Sequence, residues 1–237
     1  MNKLDILCFG AHPDDVEIGM AATIAKYAAM GKRIGICDLT SANLSSNGTV
    51  ELRKMEAQKA SDILNLHTRI ILDMPDRGLY MKEEYIKEIV RIIRKYQPTI
   101  IFTPYQVDRH PDHGNCTNLV EEALFSSRIK KFDGEFGQAA HKVKDIYYYF
   151  INGFTEPDFV IDVTDYMDIK VQALNAYESQ FVKGEDSEDT PLTNGYIDTV
   201  LARERLFGKQ VDVQYAEGFK SKRPLVVDKD LLGVREN

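Results

Sequence analysis

The sequence has no apolar run approaching the roughly 18 residues that a membrane-crossing helix needs. It has no block of lysines or arginines, and its formal net charge is −7. A basic footprint for nucleic acid is therefore missing, and neither nucleic acid nor membrane is expected as a partner. Only three cysteines occur, Cys8, Cys37 and Cys116, and they are widely spaced. They read as reduced thiols of a cytoplasmic protein. A three-cysteine zinc site would require these distant residues to converge. The N-terminal "MNKLDILCFGAHPDD" turns charged too soon after its apolar run to be a signal peptide. Internal repeats and low-complexity linkers are absent too.

What remains is a chain of 237 residues, 43% hydrophobic, long enough to bury a sizeable core. Apolar runs at 4–9, 33–39, 68–74 and 98–104 read as strands. Helical patterns at 16–30, 50–64, 82–96 and 113–125 alternate with them. Gly31 is placed to close the first helix. The second helix is expected to turn Leu52, Met55, Ala60, Ile63 and Leu64 inward. Four strand–helix alternations predict an α/β fold, a Rossmann-like three-layer sandwich around a mostly parallel sheet. The second part is less regular. Segments 144–153 and 157–164 read as strands, 166–177 and 196–207 as helices, and 182–195 as an acidic, mobile loop. The expectation is one domain, 1–237, with a core at 1–130 and a C-terminal α/β extension at 131–237 that completes the pocket.

In such sheets ligands bind beyond the carboxyl ends of the strands. Two charged loops fall there. "GAHPDDVE" follows the first strand and "TPYQVDRHPDHG" the fourth. Three of the five histidines lie in these loops; His67 and His141 read as ordinary surface or loop residues. The first loop, taken alone, is also readable as an acidic helix cap, with Pro13 holding His12 extended. With the second loop it reads as a metal site, because two histidines and a carboxylate are a common ligand set for a catalytic zinc. The same set also suits Fe(II). Nearby carboxylates can then serve as general base or as partners of the ligands. A nucleotide-binding module is the alternative class, but "GAHPDD" lacks the G-x-G-x-x-G fingerprint, and its acids would repel a phosphate. A two-metal phosphoesterase would want a second histidine cluster, which is missing.

"AHPDDVEIG" followed by "HPDHG" resembles the PIG-L/LmbE-like family of zinc-dependent deacetylases. "MPDRGL", "PDFVIDVTDYMDIKVQALNAYESQF", "GYIDTVLARERLFG" and "YAEGFKSKRPL" resemble its bacillithiol-biosynthesis branch, whose members deacetylate N-acetylglucosaminyl-L-malate. The resemblance implies that His12, Asp15 and His113 hold zinc, and that Asp14 is the general base. It implies that His110 stabilises the oxyanion or protonates the leaving amine, and that Asp112 orients His110; a carboxylate close to His110 would raise its pKa. It implies a contact of Arg53 with the sugar and a homo-oligomer, a hexamer. For the malate carboxylates Arg109 is the best-placed arginine. Arg77 is a weaker candidate that could instead pair locally with Asp73 or Asp76. Tyr196 and Tyr177 are expected to line the pocket or to pack. Glu17 reads as a first-turn helix acid. One departure stands out: relatives carry a string like "TRGELG" after the second strand, where this chain has "TSANLSSNG". That loop borders the site, so its change bears on which acetylated substrate is used.

Overall fold

The computed structural model describes residues 3–184 and 187–226. Glu185 and Asp186, within the acidic loop 182–195 expected to be mobile, lie outside them. Among the described residues, seven strands form one sheet in the order β3-β2-β1-β4-β5-β7-β6. They are β1 (Ile6–Gly10), β2 (Ile34–Thr40), β3 (Thr68–Met74), β4 (Ile100–Pro104), β5 (Asp145–Tyr149), β6 (Phe159–Asp162) and β7 (Ala216–Ser221). The first five run parallel, and β7 lies antiparallel to both β5 and β6. The helices are α1 (Asp15–Ala29), α2 (Val50–Ile63), α3 (Glu83–Tyr96), α4 (Pro111–Ser127), α5 (Met167–Asn175), the single turn α6 (Glu178–Phe181) and α7 (Tyr196–Gln210).

The predicted three layers are present. Strand β1 is buried along its whole length, and its side chains alternate between two cores. Ile6 and Cys8 join Ile24, Ala57, Ala60 and Leu174 from α1, α2 and α5. Leu7 and Phe9 join Ile89, Ile93, Leu119 and Val120 from α3 and α4 on the other face. This two-sided burial is why the strands read as continuous apolar runs rather than as alternations.

One expectation fails and one strand was not foreseen, for related reasons. Leu52 and Met55 of α2 are exposed, and its buried face carries Arg53, Glu56, Ala57, Ala60 and Ser61. Polar residues on that face have partners elsewhere in the fold: both Glu56 oxygens accept hydrogen bonds from Ser179. Strand β7 has no apolar run to announce it. Its Glu217 is fully buried and paired with Lys170. The three cysteines are buried and free.

Strand order places the site. β1 lies between β2 and β4, so the chain leaves its first strand in one direction and its fourth in the other. The carboxyl ends of β1 and β4 therefore flank the crevice where ligands bind in such sheets.

Candidate active site

Both charged loops meet in that crevice, in a cavity of about 280 Å³. Its walls include His12, Asp14, Asp15, Arg53, Arg109, His110 and His113. The loop after β1 is built around Asp15, whose Oδ2 accepts from the backbone N–H groups of Ala11 and His12, each at 2.9 Å. Its Oδ1 lies 3.1 Å from His113 Nε2, and Oδ2 lies 3.5 Å from His12 Nδ1. One carboxylate thus bridges the two histidines from the two loops.

Asp14 precedes helix α1 with φ 115° and ψ −24°, a left-handed conformation costly for a residue with a Cβ. Arg53 holds the turn: Nε donates to the Pro13 carbonyl at 2.9 Å and Nη2 to Asp14 Oδ2 at 2.8 Å. Arg53 is in place because the Thr49 hydroxyl caps α2, accepting from Leu52 N–H at 3.1 Å. The guanidinium expected to meet sugar is therefore largely engaged with the loop itself. Burial, working against the Arg53 charge, pushes Asp14 up to about 7. Asp15 is held well below the ordinary range: burial is outweighed by His113 and His12.

On the second loop Pro111 starts α4, and His110 caps it, with Nδ1 accepting the Asp112 N–H at 3.3 Å. An accepting Nδ1 leaves Nε2 as the protonated nitrogen of a neutral ring. The Asp112 carboxylate does not take the expected partner. It accepts from Arg77 N–H at 2.7 Å and lies 3.4 Å from Arg77 Nη1 and 3.7 Å from His12 Nε2. Burial and the positive His12 and His113 hold His110 below the usual histidine value; Asp112 acts upward, as expected, but is outweighed. Arg77 accordingly pairs across the cleft rather than with Asp73 or Asp76.

Two carboxylates that the motifs left unassigned complete the site. Asp108 Oδ1 lies 2.9 Å from His113 Nδ1, and its oxygens accept from the His110 and Asn152 N–H groups. Burial is outweighed there by His113, and Asp108 falls to about 2. Asp76 Oδ1 lies 3.2 Å from His12 Nε2, and Oδ2 accepts from Leu44 N–H at 2.9 Å. Their one sequence signal is position: both follow strands, β3 and β4, at the same sheet edge. Tyr196 and Tyr177 stand behind the wall. Tyr196 donates to the Ile151 carbonyl at 2.8 Å, and Tyr177 donates to Glu17 at 2.9 Å. Glu17 is the first-turn acid of α1 as expected; it is fully buried and lies 2.5 Å from Arg69.

Ligand atoms of His12, His110 and His113 lie within 4.8 Å of one another, and so do those of His12, Asp76 and Asp112. His12, Asp15 and His113 are all nearly buried. With only these groups present, the imidazoles stay protonated well above the usual range, His113 to about 9, because carboxylates outweigh the cost of burial. A cavity that concentrates carboxylates around two imidazoles calls for positive charge, and the donor set fits a divalent cation.

Residues 7–124 match the family model described as PIG-L: GlcNAc-PI de-N-acetylase. Over 229 residues the chain is 31% identical to a diacetylchitobiose deacetylase of Thermococcus kodakarensis, covering 91% of this chain and 82% of that protein. The chain belongs to the PIG-L family. It is an enzyme, a deacetylase of that family. This PIG-L protein is also 28% identical over 195 residues to a probable N-acetyl-alpha-D-glucosaminyl L-malate deacetylase 2 of Bacillus subtilis, covering 75% of this chain and 84% of that one. Among solved structures, a conserved protein of Thermus thermophilus superposes with a TM-score of 0.85 at 32% identity, covering 94% of this chain and 96% of that one. Among the described residues, no helix is long and apolar enough to cross a membrane.

Proposed function

We propose that the enzyme removes the N-acetyl group of N-acetylglucosaminyl-L-malate, giving glucosaminyl-malate and acetate, as a step of bacillithiol biosynthesis in the cytoplasm. His12, Asp15 and His113 would hold zinc, or Fe(II) in the cell. When bound, the metal supplies a Lewis acid and a water made acidic enough to attack at neutral pH. Asp14 accepts the proton of the attacking water. The Arg53 pair keeps its carboxylate aimed into the cavity, while burial keeps its basicity near neutrality. His110 Nε2–H donates to the developing oxyanion, because its Nδ1 is already taken by the Asp112 N–H. Protonation of the leaving amine falls to His110 or Asp14. Asp108 fixes the ring of His113, and Asp112 acts through Arg77 and His12.

The observation that carries the reading is the convergence of both motifs on one cavity with Asp14 beside the Asp15–His113 pair. The malate end is supported by Arg109, an exposed guanidinium on the cavity wall with no salt bridge among the described residues. Removal of one acetyl group from diacetylchitobiose is a second reading, favoured by the longer and higher-identity match to the Thermococcus enzyme. Acetate release from both substrates by the zinc-loaded protein separates them. Faster turnover of the malate conjugate is expected; turnover of chitobiose alone would overturn the malate assignment, and acetate from neither would remove the reading. The enzyme is further proposed to be a homo-oligomer, a hexamer.

A further inference from the structure

Helix α1 is broken five residues after Asp15. Met20 has φ −155° and ψ 25°, outside the helical region. A break leaves carbonyls before it and N–H groups after it short of ladder partners. Here charged side chains supply both. Arg203 Nη2 donates to the Ile18 carbonyl at 3.1 Å. The N–H groups of Ala22 and Thr23 donate to the two oxygens of Glu217, at 3.2 and 2.6 Å.

The two supports are joined. Lys170 Nζ donates to Glu217 at 2.6 Å and to Glu204 at 2.8 Å, and Arg203 donates to Glu204 at 2.9 Å. The chain Glu217–Lys170–Glu204–Arg203 has a formal charge of zero, and all four residues are buried. None of them lines the cavity, yet Arg203 also donates to the Ile151 carbonyl at 2.9 Å. Ile18 and Ile151 both line it. One guanidinium therefore ties the first turn of α1 to the wall segment after β5. At the break itself, a Cβ on Gly19 would lie 2.0 Å from the Tyr149 ring, whose hydroxyl donates to the Phe9 carbonyl at the end of β1.

We propose that the Glu217–Lys170–Glu204–Arg203 cluster is a positioning device for the catalytic loop. It sets the angle of the first turn of α1, which carries Asp14 and Asp15, from β7 and α7 rather than from the rest of the helix. Four buried charges give little net stability over an apolar filling. Their directed hydrogen bonds to two named backbone sites do give a fixed geometry. The activity arm of the test rests on the deacetylase reading; the metal arm does not.

Arg203→Lys keeps the charge but loses the fork that reaches both carbonyls. Glu217→Gln sets one N–H against the amide NH2, which cannot accept it. Zinc affinity would be measured by competition with a chromophoric chelator, alongside kcat, KM and the thermal midpoint. Val90→Ala, a cavity in the opposite core, serves as a control that lowers stability without touching the loop. Each cluster variant is expected to weaken zinc binding and lower kcat by about tenfold or more, the scale seen when residues that orient metal ligands are lost. KM stays within about twofold, and Val90→Ala leaves zinc affinity and kcat unchanged. Wild-type zinc affinity and kcat in a folded Arg203→Lys would overturn the proposal, whatever happens to its thermal midpoint. Should Glu217→Gln not fold, Arg203→Lys decides alone. Should wild type release acetate from no substrate, the zinc arm still decides.

Discussion

Lys170→Met tests how much the buried charges weigh against one another. Lys170 is wholly buried, and its ammonium lies between two carboxylates, 2.6 Å from Glu217 and 2.8 Å from Glu204. Methionine nearly conserves the stem, so packing changes little and the loss is electrostatic. Arg203 is left to balance two buried acids. Removing one partner of a buried pair costs about 3–5 kcal/mol. For a domain of this size each kcal/mol shifts the thermal midpoint by roughly 2–4 °C, so a drop of about 6–20 °C is expected near neutral pH. Stability of the native state is itself only about 5–15 kcal/mol, so the loss is large.

The pH dependence carries its own sign. In wild type, burial pushes Glu204 up, but Arg203 and Lys170 outweigh it and hold its pKa below the ordinary value. That stabilisation is present above the unfolded pKa of about 4.3 and fades as pH falls through the lower folded value. In the variant an under-compensated carboxyl has its folded pKa raised instead, and it takes up a proton as pH falls. Its penalty is complete above the raised pKa and is relieved as pH falls towards the unfolded one. The gap between the two proteins should therefore be widest near pH 8 and narrow by about pH 5. Scanning calorimetry over that range checks it. A variant within about 2 °C of wild type at neutral pH, or a gap unchanged between the two pH values, would refute the reasoning.

Two further expectations concern the cavity. Asp15→Ala removes the carboxylate that lies between His12 and His113 and should abolish zinc binding, whereas Asp14→Asn should retain zinc and lose about 10²-fold or more in kcat; metal analysis and acetate release on the purified variants check both. Asp108→Asn should weaken zinc binding by about 10- to 100-fold while the fold is kept, because His113 Nδ1 loses its anionic neighbour; chelator competition measures it.

The four strand–helix alternations, the parallel sheet and the two loops at its carboxyl edge were legible in the sequence. Apolar runs of strand length, separated by helical periodicity, have few packings open to them, and both charged loops follow strands that such a packing aligns. The histidine motifs were legible for the same reason: each is local, a few residues long, and placed by one strand end. Arg53 illustrates the limit. Its type was noted and its partner was not, because Asp14 lies 39 residues away. Glu217 is further still, 195 residues from the Ala22 N–H that it accepts from, and its strand carries a charge where hydropathy expects an apolar residue. Hydropathy assigns a lone charge to the surface, since burying it without a partner is prohibitively costly. Whether a partner exists is a fact about distance in space. The sequence by itself thus determined the parallel part of the sheet, its loaded edge and the residue types gathered there. The tertiary structure alone decided which acid faces which histidine, that Asp76 and Asp108 join them, and that the helix carrying Asp15 is broken and held by charges from the far end of the chain.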